Sequence, residues 1–395
     1  MRPGARLAAA IDCLERVLAG EAAEKVLTTW ARKSRYAGSK DRAAIRDHVF
    51  DVLRARGSCA ALGDATARGL VLGLCALQDL DAPALFAGGA YDPEVLSEAE
   101  TARWQDRQAL RTQAAALWNM PDAAREALQS AHGAAAHDIA LALTRRAPVD
   151  LRVNLRKADV QSAQEALGAD GIVAAPHPAS ATCLRVTQGA RKIRNSAAFS
   201  DGLVELQDAG SQALTQAVIA AAGGGKALRV LDYCAGGGGK SLALAAQMDA
   251  VIVAHDISPA RMRDIPERAA RAGVQITCAA PEMLAAEAAF DVVVVDAPCS
   301  GSGAWRRTPD AKWAFQSEGL MQMAALQAEV LGRARAHLAP GGILAYATCS
   351  LFDAENAQQV ARFVAQTPDL SVTSEHTWTP LDGTDGFYLS IMESA

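Results

Sequence analysis

Two cysteines each close an apolar run. Cys299 ends Val292-Val-Val-Val-Asp-Ala-Pro-Cys-Ser-Gly-Ser-Gly303, and Cys349 ends Ile343-Leu-Ala-Tyr-Ala-Thr-Cys-Ser350. An apolar run without alternation reads as a strand buried on both faces. In an open parallel sheet, whatever follows the carboxyl end of a strand faces the ligand crevice. Both thiols are therefore expected in one cleft, where a thiolate is a nucleophile. The alternative, a small buried hydrophobe, is the common fate of a single free cysteine. It suits a pair at two strand ends, each beside a serine, much less well.

A second candidate is Cys234-Ala-Gly-Gly-Gly-Gly-Lys-Ser241, where the strand Leu228-Arg-Val-Leu-Asp-Tyr233 turns into a helix. Glycines there let backbone approach a ligand closely, and the helix start presents free N–H groups. The spacing fails the phosphate-binding pattern GxxxxGK(S/T), because Cys234 stands where its first glycine belongs. It also fails GxGxxG, whose last glycine would fall on Ser241 or Leu242. An S-adenosylmethionine loop and a tight turn without ligand remain. Asp256 closes the next strand, Val251-Ile-Val-Ala-His255, and suits the first reading, since a carboxylate accepts from both ribose hydroxyls.

Strands alternating with helices from about residue 205 onward argue for a doubly wound, mostly parallel α/β sheet. Ahead of it, residues 140–200 read as a small α+β module: Val149-Asp-Leu-Arg-Val-Asn154 alternates, Ala158 to Leu167 is helical, and Gly171-Ile-Val-Ala-Ala is extended. This module carries the basic run Arg191-Lys192-Ile193-Arg194. Residues 1–135 read as helical, with Leu7, Ile11, Leu14 and Leu18 at helical spacing, as are Ile45, Val49, Val52 and Leu53. The expected domains are thus 1–135, 140–200 and 201–395.

Bulk properties narrow the function. The 395 residues are 50% hydrophobic and 21% charged, ordinary globular composition, with a net charge of −5. Any nucleic-acid binding must then come from local patches. The eight cysteines include no CxxC pair and no Cys/His cluster of zinc spacing, so no metal is expected. Nothing near the start reads as a signal peptide or membrane span. A cytoplasmic protein with reduced thiols, and no membrane partner, is expected.

These residues together resemble the Sun/RsmB (Fmu) family of RNA cytosine-C5 methyltransferases. The strongest matches are Asp296-Ala-Pro-Cys-Ser-Gly-Ser-Gly, Arg306-Arg-Thr-Pro-Asp-Ala-Lys-Trp313 and Tyr346-Ala-Thr-Cys-Ser-Leu-Phe-Asp-Ala-Glu-Asn356. Gln207-Asp-Ala-Gly-Ser-Gln212 and Asp385-Gly-Phe-Tyr388 are similar to the family's entry and closing signatures. Ser39-Lys-Asp-Arg-Ala-Ala-Ile-Arg resembles a NusB-like RNA-binding domain. The chain departs in two places from the family. Gly236 and Gly237 replace the usual Ala-Pro of the cofactor loop, and Pro281 stands near the usual adenine-contacting acid, with Glu282 beside it.

The resemblance implies a Rossmann-like class I methyltransferase domain using S-adenosylmethionine. Cys234, Ala235, Gly236, Gly237, Gly238, Gly239, Lys240, Asp256 and Asp296 would line the cofactor site. Cys349 would attack cytosine C6, Asp296 would bond the base edge, Cys299 would serve product release, and Lys240 would supply positive charge. Arg306, Arg307, Lys312 and Trp313 would hold RNA phosphates and stack near the flipped base. The helical domain points to small-subunit ribosomal RNA, and a monomer is expected. The rivals are a tRNA cytosine-C5 methyltransferase, a non-catalytic RNA-binding protein and a Rossmann oxidoreductase.

Overall fold

The structure, a computed structural model, describes residues 1–223, 227–284, 287 and 289–395. It divides into two compact units, Met1–Arg146 with Trp305–Phe315, and Ala147–Ala304 with Gln316–Ala395.

In the second unit the alternating segment forms β1 (Val149–Val153), followed by β2 (Val173–Pro176), β3 (Cys183–Gln188) and β4 (Val204–Leu206). They make a four-stranded antiparallel sheet in the order β2-β3-β1-β4. Leu151, Val153, Leu184 and Val204 pack from it against Ala163 and Leu167 of the helix Val160–Ala169. The small sheet therefore runs past the expected boundary at 200. A three-residue strand carries too little pattern to be seen without its partner, here Leu151 opposite Leu206.

The large sheet takes β5 (Leu228–Asp232), β6 (Ala250–His255), β7 (Thr277–Ala279), β8 (Phe290–Asp296), β9 (Leu338–Thr348), β10 (Leu370–Trp378) and β11 (Phe387–Ser394). Its order is β10-β11-β9-β8-β5-β6-β7, with β5 to β9 parallel and the last two strands antiparallel. Val292 to Val295 are buried, as a strand covered on both faces requires. The chain leaves β5 toward β6 on one side and returns to β8 on the other. This reversal opens a crevice at the carboxyl ends of β5 and β8. The glycine turn follows β5, Asp296 ends β8, and Cys349 follows β9.

The first unit is helical. Helices Pro3–Leu18, Ala23–Lys33, Ser39–Arg54 and Ala67–Leu77 surround a core that includes Leu7, Leu14, Ile45, Val49, Leu53 and Leu70. Helical structure continues to Ala142, beyond the expected end at 135. No single helix among the described residues is long and apolar enough to cross a membrane.

The segment Trp305–Phe315, expected in the catalytic domain as an RNA contact, belongs to this helical unit. Lys312 is fully buried and its Nζ donates to the Arg54 carbonyl at 2.8 Å. Trp313 Nε1 donates to the Leu53 carbonyl at 2.6 Å, and Arg54 Nε donates to the Arg306 carbonyl at 2.7 Å. The last carbonyls of the helix Ser39–Arg54 lack intrahelical partners, and a cation is favoured there. Lys312 and Trp313 satisfy two of them, and Arg306 is itself buried. Lys312 and Trp313 are thus structural caps, and Arg306 is a buried side chain whose carbonyl serves Arg54, which takes Lys312 and Arg306 off the surface, whereas Arg307 is exposed.

Burial and the neighbouring Arg54 lower the Lys312 pKa to about 7. Between about 7 and the ordinary lysine value, the unfolded chain holds a proton that the folded chain lacks, so stability rises with pH across that window. Unfolding of this unit by urea, followed at pH 7, 8 and 9, should show a gain approaching about 1.4 kcal/mol per pH unit. Lys312→Met should flatten the slope.

Candidate active site

The crevice has a volume of about 780 Å³, large enough for a nucleoside cofactor with a base beside it. Cys234, Ala235, Gly236, Gly237, Gly239, Lys240, Asp256, Asp296, Cys299 and Cys349 all line it, so the structure brings the candidates of both motifs to one place. Gly238 is turned from it. Its φ is +79°, and a Cβ there would sit 2.8 Å from Ile265 Cγ1, so that position needs glycine.

Asp256 is buried at the end of β6. It accepts the Gly236 N–H at 3.0 Å and the Ser258 N–H at 2.9 Å, and pairs with Arg261 at 3.0 Å. The acid thus holds the glycine turn while lining the crevice. Two arginines that sequence reading passed over hold the same turn. Arg268 donates to the Gly237 carbonyl, and the buried Arg152 of β1 donates to the Gly239 carbonyl at 3.1 Å. A Cβ on Gly236 would lie 3.3 Å from Arg261 and one on Gly237 3.3 Å from Arg268, so these guanidinium groups lie tight against the side of the turn where the family's Ala-Pro side chains would project. A turn with more freedom in the unfolded chain is fixed by side-chain donors.

Asp232, at the end of β5, accepts from the Ser241 N–H at 3.0 Å and the Ser241 hydroxyl at 2.5 Å through one oxygen. Its other oxygen is buried with no partner among the described residues. Burial raises the Asp232 pKa to about 6, against the Ser241 hydroxyl and Lys240, which lower it. An orphaned carboxylate oxygen beside an open glycine turn and a second acid at the next strand fit a ligand rich in N–H and O–H donors, as an amino-acid nucleoside is. Pro281 lines the crevice near the expected adenine position, whereas Glu282 is exposed and does not.

Lys240 is buried, and its Nζ lies 2.6 Å from Asp296 Oδ2. Burial disfavours its charge, but Asp296 outweighs burial and the Lys240 pKa is raised, with Asp232 and Cys349 adding to the effect. Asp296 is the more open partner, with 37% of its side chain exposed. It therefore offers a carboxylate edge to the crevice with a cation fixed behind it.

Cys299 and Cys349 are both free, with their sulfurs 3.4 Å apart. The hydrogen bond with Cys349 raises the Cys299 pKa, and burial and the charge of Glu355 raise it further. Cys299 is thus the thiol whose proton is held more firmly, and either sulfur of the pair can donate to the other. Of the remaining cysteines, Cys13, Cys59, Cys75 and Cys183 are buried, and Cys278 is half-buried on β7.

Known proteins share this architecture. Residues 224–388 match the family model of 16S rRNA methyltransferase RsmB/F, and residues 120–192 match the ferredoxin-like domain of the RsmF/B-like methyltransferases. Ribosomal RNA small subunit methyltransferase B of Klebsiella pneumoniae subsp. pneumoniae is 34% identical over 246 residues, 61% of this chain and 56% of that protein. The protein of the same name from Salmonella paratyphi B is 34% identical over 256 residues, 63% of this chain and 58% of that one. The chain thus spans a little over half the length of the curated relatives it matches. Among solved structures, PH0851 covers 100% of this chain and 99% of its own at a TM-score of 0.75 and 20% identity. A methyltransferase homolog protein from Pyrococcus horikoshii reaches a TM-score of 0.59 at 24% identity, over 68% of this chain and 94% of its own. At these identities the structural likeness is one of fold. The two family models carry the assignment: the chain belongs to the RsmB/F family of S-adenosylmethionine-dependent methyltransferases.

Proposed function

We propose that this chain methylates cytosine at C5 in small-subunit ribosomal RNA, in the cytoplasm, through a covalent adduct of Cys349 with C6. The observation that carries the reading is the pair of thiols 3.4 Å apart in the same crevice as the Lys240–Asp296 pair and the glycine turn. A non-catalytic RNA-binding protein has no use for that arrangement. The names of the relatives, which are small-subunit ribosomal RNA methyltransferases, support the substrate.

Cytosine C5 is too weak a nucleophile to react unaided. The Cys349 sulfur adds to C6 as a thiolate, and the electron pair of the C5–C6 double bond moves to C5. Asp296 accepts from the exocyclic amino group, while Lys240 offsets the negative charge that grows on the ring. S-adenosylmethionine, when bound, supplies a methyl group carried on a sulfonium. Asp256, the glycine turn and Asp232 hold its polar groups. Cys299 serves release: the C5 proton passes to water in the crevice, the C–H electron pair re-forms the C5–C6 double bond, and the Cys349 sulfur leaves C6 as a thiolate. The target base must be unpaired or extruded to reach this depth.

The test is transfer of a labelled methyl group to ribosomal RNA and tRNA, with the modified position read by bisulfite sequencing. Conversion-resistant cytosines in 16S RNA are expected. Methylation confined to tRNA would remove the ribosomal target, and failure to bind S-adenosylmethionine by calorimetry would remove the reaction.

A further inference from the structure

Both thiols sit on loops, and loops do not hold two sulfurs together unaided. Glu355 is completely buried, yet no arginine or lysine pairs with it among the described residues. Its carboxylate faces four donors instead. Oε1 accepts the Ser300 N–H at 2.8 Å and Gln327 Nε2 at 3.0 Å, and Oε2 accepts the Ser300 hydroxyl at 2.5 Å and the Ser350 hydroxyl. Ser300 follows Cys299, and Ser350 follows Cys349.

We propose that Glu355 is a positioning residue that clasps the two thiol loops together, holding Cys299 and Cys349 in one register. The proposal rests on the reading of Cys349 and Cys299 as the working thiols. The contacts around it serve the same end. The Ser302 and Ser350 hydroxyls lie 3.2 Å apart, and the Leu351 N–H donates to Ser302 at 2.8 Å. Gln327 also donates to the Pro298 carbonyl at 2.9 Å, and Asn356 Nδ2 donates to the Ser350 carbonyl at 2.9 Å. An ionised carboxylate is acceptor-only, so it satisfies hydroxyl, amide and backbone donors at once. A glutamine in its place brings an NH₂ among donors and must lose at least one of these bonds. The carboxylate charge is also one of the causes that raise the Cys299 pKa.

The test uses the full chain and a readout independent of RNA. In glutathione buffers the two thiols reduce one glutathione disulfide to two glutathione thiols and form a Cys299–Cys349 disulfide, measured by mass spectrometry of unreduced peptides. Glu355→Gln should lower the effective concentration of one thiol toward the other by about tenfold or more, as splayed loops require. It should also lower kcat by about 10- to 100-fold, the scale of a lost supporting contact, with KM for RNA and the S-adenosylmethionine Kd within about threefold. Ser300→Ala and Ser350→Ala should each give part of the effect, and neither should add fully to Glu355→Gln. Ser300→Ala, a truncation at a half-exposed position, carries the same test should Glu355→Gln not accumulate. An unchanged thiol equilibrium overturns the clasp, as does a fall in kcat matched by an equal loss of cofactor binding. Absence of methyl transfer by the unaltered chain would count against the reaction instead, leaving the thiol equilibrium to judge Glu355.

Discussion

Cys349→Ala should abolish methyl transfer, lowering kcat by about 10⁵-fold or more, the scale on which enzymes lose rate when the nucleophile is removed. The loss should be purely chemical. Cys349 is half-buried and lines the open crevice, so removing its sulfur leaves no sealed cavity and the S-adenosylmethionine Kd should stay within about twofold. Cys299→Ala should fail at the opposite end of the reaction. Addition to C6 proceeds, release does not, and an enzyme–RNA adduct accumulates that survives a denaturing gel. The raised pKa of Cys299 makes it the poorer nucleophile and agrees with these roles. An adduct with Cys349→Ala and none with Cys299→Ala would reverse the assignment and make Cys299 the attacking thiol.

Strands with one dominant signal were legible in the sequence. Val292 to Val295 and Leu344 to Ala347 are buried, and an apolar run ending in Asp or Thr-Cys reads as a strand entering a crevice. The glycine turn and Asp256 were legible because each sits at a strand end, where order along the chain fixes place in space. What escaped depends on long-range pairing. The short strand Val204–Leu206 exists because Leu206 meets Leu151. Glu355 was in view within its motif, but its four donors come from three segments of chain. Arg152 and Arg268 likewise reach the glycine turn from different elements. The basic and aromatic residues of 306–313 misled for the same reason. Their charge and aromaticity suit RNA, and nothing local shows that the end of the helix Ser39–Arg54 needs two donors.

Asp296→Asn should lower kcat by about 10²- to 10³-fold, the range seen when a group that stabilises developing charge is removed. The loss has two parts. The amide still reaches the base, but its oxygen is not the charged acceptor that the carboxylate is. In addition Lys240 is left buried without its anion. Its pKa is raised because Asp296 outweighs burial, so without Asp296 the charge behind the base loses its main support. Stability should follow the same asymmetry. Asp296→Asn orphans the buried cation and should cost about 2 kcal/mol, at the lower end for a broken buried pair because Asp296 opens on solvent. Lys240→Met leaves the more exposed Asp296 to be hydrated and should cost less in urea unfolding, while still lowering kcat. In the double variant the two losses of rate should not add, since one pair acts as a unit. Additive losses would mean that Lys240 works on the cofactor or the thiol independently of Asp296.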